Sequence, residues 1–468
     1  MPLFKVKTAM KNNKPEYKFT IKKYFCNKAE KYTVFAGTAI LSAMFIYWLF
    51  TSEYSVFGII AAAVCAALFL ILSIKAAHTL FTSFLFQNNS QSAIEKEPKN
   101  ILLKIFFGVI LFDAAVISFI LVYKYLTGAA DSLKEALEFF RGLDSRHYLD
   151  ISREWYLSSG SIDRLCQIVF LPLYPILVSF LNSFTGYDII SGLIVSGLCF
   201  AGAFCVLYRL LRLDMPHSGV IRTLKYLIIF PGCFFFAVPM TESLFLLLCV
   251  SSIYSARKDK WLLSGFLGAL CSFTRSVGLS LVIPLIIEWI YSLKKENKKV
   301  SGKTLRKAAC ILLVPLGFAA YIYINYAVTG DPFKFMYYQA NHWSQHFGFF
   351  FNTAAYQLEN IINSASWQTA LGLWLANLLS LYSSLIIMIL GAKKLRSSYA
   401  VWFICYYFVA MGATWLLSAP RYTLVMFPVA ICLSELTKKK RTDIAFFTVT
   451  LIFSALYLFC YLNGWQVW

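Results

Sequence analysis

LCQIVFLPLYPILVSFLNSF, Leu165–Phe184, sets the orientation of every span that follows it. It has the length and apolarity of a helix crossing a hydrocarbon core of roughly 30 Å. Counting it as a crossing, however, would move Arg209, Arg212, Arg222 and Lys225 to the outer side and invert every later loop. Its two prolines, in FLPLYP (Phe170–Pro175), also interrupt a regular helix, because each lacks an N–H and its ring clashes with the preceding turn. The stretch is therefore expected to be an interfacial or re-entrant element on the outer face.

Working outward, apolar runs lie near 33–50, 56–76, 101–126, 187–211, 224–238, 243–257, 261–274, 277–293, 308–327, 367–391, 400–417, 421–437 and 443–462, which predicts about 13 transmembrane helices. With 59% hydrophobic residues, 14% charged residues and a mean hydropathy of +0.65, the chain is far outside the range of soluble domains. Continuous runs, rather than short alternating strands, point to helices that satisfy their own backbone groups. The expected class is an all-α polytopic membrane protein. With the N-terminus inside, the inner segments hold 33 of the 43 Lys and Arg, the bias that orients membrane proteins.

That placement also explains the net charge of +20. The basic residues form short blocks between spans, suited to anionic lipid heads, with no aromatic-interleaved polar domain for nucleic acid. Nearly all of the 12 cysteines fall inside apolar runs without CxxC or zinc spacing, as small core residues do. Residues 1–32 carry nine lysines and read as a retained basic cytoplasmic arm. Residues 33–100 supply two further spans and the polar linker QNNSQSAIEKEPKN, an appendage to a core at 101–468.

The outer segments are then 127–186, the tips Pro239–Ser243 and Thr274–Val277, 328–366, and Ser418–Tyr422. Lys225 and Arg257 enclose only 31 residues, and Lys260 and Lys294 only 33, whereas two full crossings need about 40. The turns PMTES and FTRS are expected to sit below the outer surface, where irregular backbone needs protein or a watery cavity around it.

The outer segments also collect the residues capable of chemistry. In LDSRHYLD (Leu143–Asp150), Asp144 and His147 share a helical face and Asp150 is turned aside. Asp144 is placed to accept a proton from a sugar hydroxyl once substrate excludes water; a solvated face of an interfacial helix explains the segment equally well. Glu242 in PMTESLF and Arg275 in SFTRSVG form either a structural ion pair or a phosphate site, since a guanidinium presents two parallel donors and keeps its charge. Arg421, in SAPRYTLVMFP, is a second anion-binding candidate or a headgroup anchor. The 328–366 loop offers Gln339, His342, Trp343 and His346. These suit an aromatic lid better than a metal site, because no third ligand lies at a useful spacing. Asp113, inside a span, is either functional or a packing polarity.

These pieces, in order, are LDSRHYLDISREWY (Leu143–Tyr156), FLPLYP, PMTESLF, FTRSVG, GDPFKF (Gly330–Phe335) with Gln339 and Trp343, and PRY (Pro420–Tyr422). Together they resemble the glycosylphosphatidylinositol mannosyltransferase 2 family, GT-C class membrane glycosyltransferases that use polyprenyl-phosphate sugars. The resemblance covers most of 100–437 and implies a GT-C fold with Asp144 as catalytic carboxylate. His147, Glu242, Arg275, Gln339, Trp343, Arg421 and Tyr422 would bind substrate.

The implied reaction is inverting transfer of a hexose, mannose in the family, from a lipid-linked polyprenyl-phosphate donor to a glycan or glycolipid acceptor, without metal or other cofactor. Leu143 stands where the family carries Trp, and the two extra spans are a further departure. Both favour a bacterial plasma membrane, with the site on the extracytoplasmic face, and leave the acceptor open. The rival readings are a transporter or flippase of lipid-linked sugars and a non-catalytic subunit that retains the fold. A transporter should show internal repeats and polar residues reaching both leaflets, and the sequence shows neither.

Overall fold

The computed structural model describes residues 28–85, 97–295, 301–392 and 395–467. Regular structure among them is helical throughout, with one isolated bridge between Phe347 and Ala413. Most of the expected basic arm, residues 1–27, and 86–96 of the linker lie outside the described residues; Lys28–Thr51 is already helix.

Eight helices among the described residues are long and apolar enough to cross a membrane. They coincide with the expected spans near 33–50, 56–76, 101–126, 187–211, 277–293, 308–327, 367–391 and 443–462. The chain is thus a multi-pass membrane protein by length and composition of its helices.

The other five expected spans are shorter or broken. The 224–238 run is not one helix, since His217–Ile228 ends before Pro231 and Gly232, and a 3-10 turn follows at Cys233–Phe236. Helices Glu242–Arg257, Trp261–Thr274 and Ser397–Ala410 have 16, 14 and 14 residues. Fourteen residues rise only about 21 Å. The 421–437 run divides into Ala419–Leu424 and Phe427–Leu436. Every residue from 232 to 246 is buried, so the irregular backbone around PMTES is wrapped in protein, whereas Trp261–Thr274 leaves Leu262 and Phe266 exposed.

The FLPLYP stretch bends by 112° between Ile162–Val169 and Leu173–Thr185. Pro172 caps the second helix and Pro175 lies in its first turn, where a missing N–H costs no helical bond. The second helix packs on Asp188–Leu211, and the Tyr174 hydroxyl lies 3.0 Å from the Gly192 carbonyl and 2.8 Å from Ser196 Oγ.

Polar contacts gather at the two ends of the bundle. At one, Ser55 N donates to Glu359 Oε1 at 2.9 Å, Lys124 to the Leu462 carbonyl at 2.6 Å, and Arg141 to both Asp188 oxygens at 2.9 and 2.8 Å. At the other, Lys75 donates to the Ile389 carbonyl, Lys294 to the Phe84 carbonyl, Arg396 to both Glu288 oxygens and Lys225 to Asp443. Each bond joins segments that the charge pattern assigns to the same side. The helix Val56–Leu85, expected in an appendage, packs into the core. It lies along Phe350–Ile362 and Ala376–Gly391, with Ala62, Cys65 and Leu72 fully buried.

The hairpin that ends in Arg275 is held by a close crossing of Trp261–Thr274 with Gly302–Ile311 and Leu313–Thr329. A Cβ added at Gly317 would stand 1.8 Å from the Ala269 carbonyl oxygen, and one at Gly265 would stand 2.0 Å from that of Cys310. Small residues let such backbones touch. Gly317→Ala is expected to force them apart at a cost of about 1–3 kcal/mol, read as a lower melting temperature in detergent. An unchanged melting temperature would show that the crossing is not this tight.

Candidate active site

The helix Asp144–Glu154 begins abruptly. Leu143, its N-cap, has φ 56° and ψ −142°, a left-handed conformation that costs a side-chain-bearing residue about 1–3 kcal/mol and persists only when its surroundings impose it. The turn puts Asp144 at the first helical position, where the helix dipole favours a carboxylate. Glu242 occupies the same position of Glu242–Arg257.

Arg421 joins these two acids. Its Nη1 donates to Asp144 Oδ2 at 2.8 Å, while Nε and Nη2 donate to Glu242 Oε1 at 3.0 and 2.9 Å. Arg275, extended at the end of Trp261–Thr274, donates from Nη1 to the same Glu242 oxygen at 2.7 Å. Its guanidinium carbon lies 5.0 Å from the Tyr422 ring centre, and that of Arg421 lies 5.2 Å from Phe235. Two acids balance two bases, so burial leaves no net charge to solvate.

Exposure separates the four. The Glu242 side chain is 0% exposed, Arg421 4%, Arg275 13% and Asp144 28%. The cluster therefore has a hidden base and an accessible rim. Above it opens a pocket of about 210 Å³, lined among others by Asp144, Arg275, Gln339, Trp343, Arg421 and Tyr422. Four separate outer segments, far apart in sequence, meet there.

Two of the expected substrate contacts do not line this pocket. Glu242 lies beneath it and holds the two arginines. His147 stands behind its wall, stacked on Phe170 at 4.7 Å and edge-on to Trp343 at 5.5 Å. Burial pushes the His147 pKa below its ordinary 6.5, opposed by the Asp144 charge. The folded protein thus binds fewer protons there than the unfolded chain, so His147 opposes folding increasingly as pH falls below 6.5. The melting temperature should drop as the pH falls below about 6.5. His147→Gln should reduce that drop, and an identical slope in the variant would discount the effect.

Asp150 is committed elsewhere, to Arg153 at 2.6 Å, Arg164 at 3.2 Å and Gln167 at 3.3 Å. Arg141 is tied to Asp188. Asp113 is 7% exposed and packs against Gly197, outside the pocket lining. Among the described residues no group of three or more His, Cys, Asp or Glu converges.

Tyr148, Phe170, Gln345, Trp415 and Ser418 also line the pocket but were not singled out in the sequence. Tyr148 was findable, being four residues after Asp144 and so on its helical face. Gln345 and Trp415 carried no local signal. They meet because the 328–366 loop is stapled to 411–417: Gly348 N donates to the Gly412 carbonyl at 2.7 Å, Gln345 Nε2 to that of Trp415 at 2.9 Å, and Gln339 Nε2 to Gln345 Oε1.

No protein-family model matches the chain, and no curated protein matches it in sequence.

Proposed function

We propose that the chain is an integral membrane inverting glycosyltransferase with a GT-C arrangement. It moves a hexose, in the first instance mannose, from a polyprenyl-phosphate sugar to a glycan or glycolipid acceptor at the extracytoplasmic face of a bacterial plasma membrane. In this reading the five shorter apolar segments complete thirteen crossings, and their recessed ends form the floor of the site. The observation that carries the reading is the pocket at one end of the bundle. There an accessible carboxylate and an arginine with donors to spare are held by a buried, charge-balanced base.

Asp144 takes the proton of the acceptor hydroxyl. The acceptor oxygen attacks C1 from the face opposite the phosphate, the C1–O bond breaks, and its electron pair leaves on the phosphate oxygen. Phosphate is a competent leaving group, so a second carboxylic acid is unnecessary.

The two arginines divide the work. Arg421 has given Nε, Nη1 and Nη2 to the two acids and fixes Asp144 in place, while Arg275 retains its Nε and Nη2 for the phosphate charge that grows in the transition state. The Gln339–Gln345 pair with Trp343 and Trp415 suits a sugar, presenting amides to hydroxyls and apolar ring faces to C–H groups.

The test is incubation of purified protein with polyprenyl-phosphate mannose and a panel of glycan and glycolipid acceptors. Sugar transfer with inverted configuration is expected. Movement of the intact donor across a vesicle without bond cleavage, or no transfer with any donor, would reject the reading.

A further inference from the structure

The pocket contains a polar side chain to which the proposed chemistry gives no task. Tyr148 is 7% exposed and lines the pocket one helical turn beyond Asp144. Its ring is wedged edge-on against Phe170 at 5.1 Å and Tyr174 at 5.6 Å, so the phenol has little freedom to leave. The phenol lies beside Thr241 and in the fields of Asp144, Arg275 and Glu242. Thr241 receives Arg275 Nη1 at 3.4 Å, so phenol and guanidinium flank the same side chain.

Both groups offer donors and keep them. Burial, and then the Asp144 charge, push the Tyr148 pKa well above its ordinary value, so the phenol stays protonated. Arg275 spends only Nη1 on protein, on Glu242 and Thr241. Its Nε and Nη2 form the flat edge that grips two oxygens of one phosphate. Arg421, 4% exposed and engaged with both acids, cannot turn the same way without breaking the cluster.

We infer that Arg275 and Tyr148 together form a phosphate subsite, in which Arg275 holds the two non-bridging oxygens of a lipid-linked phosphate and the Tyr148 hydroxyl donates to the oxygen that leaves C1. The inference deepens, and rests on, the glycosyl-transfer reading. Tyr148 then contributes most when that oxygen carries the charge released by C–O cleavage. It should favour the transition state and the free lipid phosphate over the intact donor.

The experiment measures binding of polyprenyl phosphate, inorganic phosphate and uncharged polyprenol to purified wild type and Tyr148→Phe, alongside transfer kinetics. Wild type should prefer polyprenyl phosphate to polyprenol. Tyr148→Phe should weaken polyprenyl phosphate and lower kcat by roughly 10–100-fold, the range for a hydrogen bond to a charged oxygen, with a smaller change in donor KM. Equal affinity and kcat in the variant overturn the inference and leave the transferase reading standing. Wild type that binds no lipid phosphate overturns both, and binding of inorganic phosphate alone removes the lipid as its source. If Tyr148→Phe melts lower than wild type, Thr241→Val replaces it. That variant removes the hydroxyl that receives Arg275 Nη1 and should weaken lipid-phosphate binding, and unchanged binding counts against the subsite.

Discussion

Asp144→Asn is expected to lower kcat by about 10²–10⁴-fold, the usual contribution of a positioned general base, without weakening the donor. The amide keeps the shape of the acid and can still accept from Arg421 Nη1, which now holds Asp144 at 2.8 Å. It cannot accept the acceptor's proton. Removing one of two acids also leaves the cluster with a net positive charge, so polyprenyl phosphate should bind as well as before, or more tightly. The two readouts moving apart, turnover down and lipid-phosphate affinity retained, distinguish loss of a base from loss of a fold. Turnover within a few-fold of wild type in both Asp144→Asn and Asp144→Ala would sink the assignment.

Glu242→Gln should act on stability first. The Glu242 side chain is 0% exposed and its Oε1 receives Arg275 and both Nε and Nη2 of Arg421. Neutralising it leaves two buried guanidinium groups facing one partly exposed acid. Breaking a buried pair by removing one partner costs about 3–5 kcal/mol, enough to lower the melting temperature by many degrees. Replacing Arg275 by Met in the same chain should recover part of that loss by restoring the charge balance, although it removes the phosphate donors. A Glu242→Gln protein that melts like wild type yet fails only in turnover would instead make Glu242 a substrate contact.

The contrast between the two acids shows where the sequence was legible. Both stood out because ionisable residues at the ends of apolar runs are costly and therefore informative. Asp144, Arg275, Arg421, Tyr422, Gln339 and Trp343 come to one pocket from segments that the charge pattern had already placed together. Glu242 and His147 came from the same segments but stop short of the pocket. Depth below a surface is a property of packing, and no periodicity encodes it. The breaks within the five shorter apolar segments were less legible, because hydropathy reports that a residue avoids water and is silent on where a helix ends.

Composition, charge spacing and the prolines of FLPLYP were sufficient to establish a helical membrane protein with a broken segment at 165–184. These follow from local physics: the length of a helix that spans hydrocarbon, the bias of basic residues and the missing N–H of proline. Packing in three dimensions makes Arg421 bridge Asp144 to Glu242, leaves the Nε–Nη2 edge of Arg275 open and stands Tyr148 beside it. Those relations join residues up to 277 positions apart, and they depend on how recessed turns stack inside the bundle.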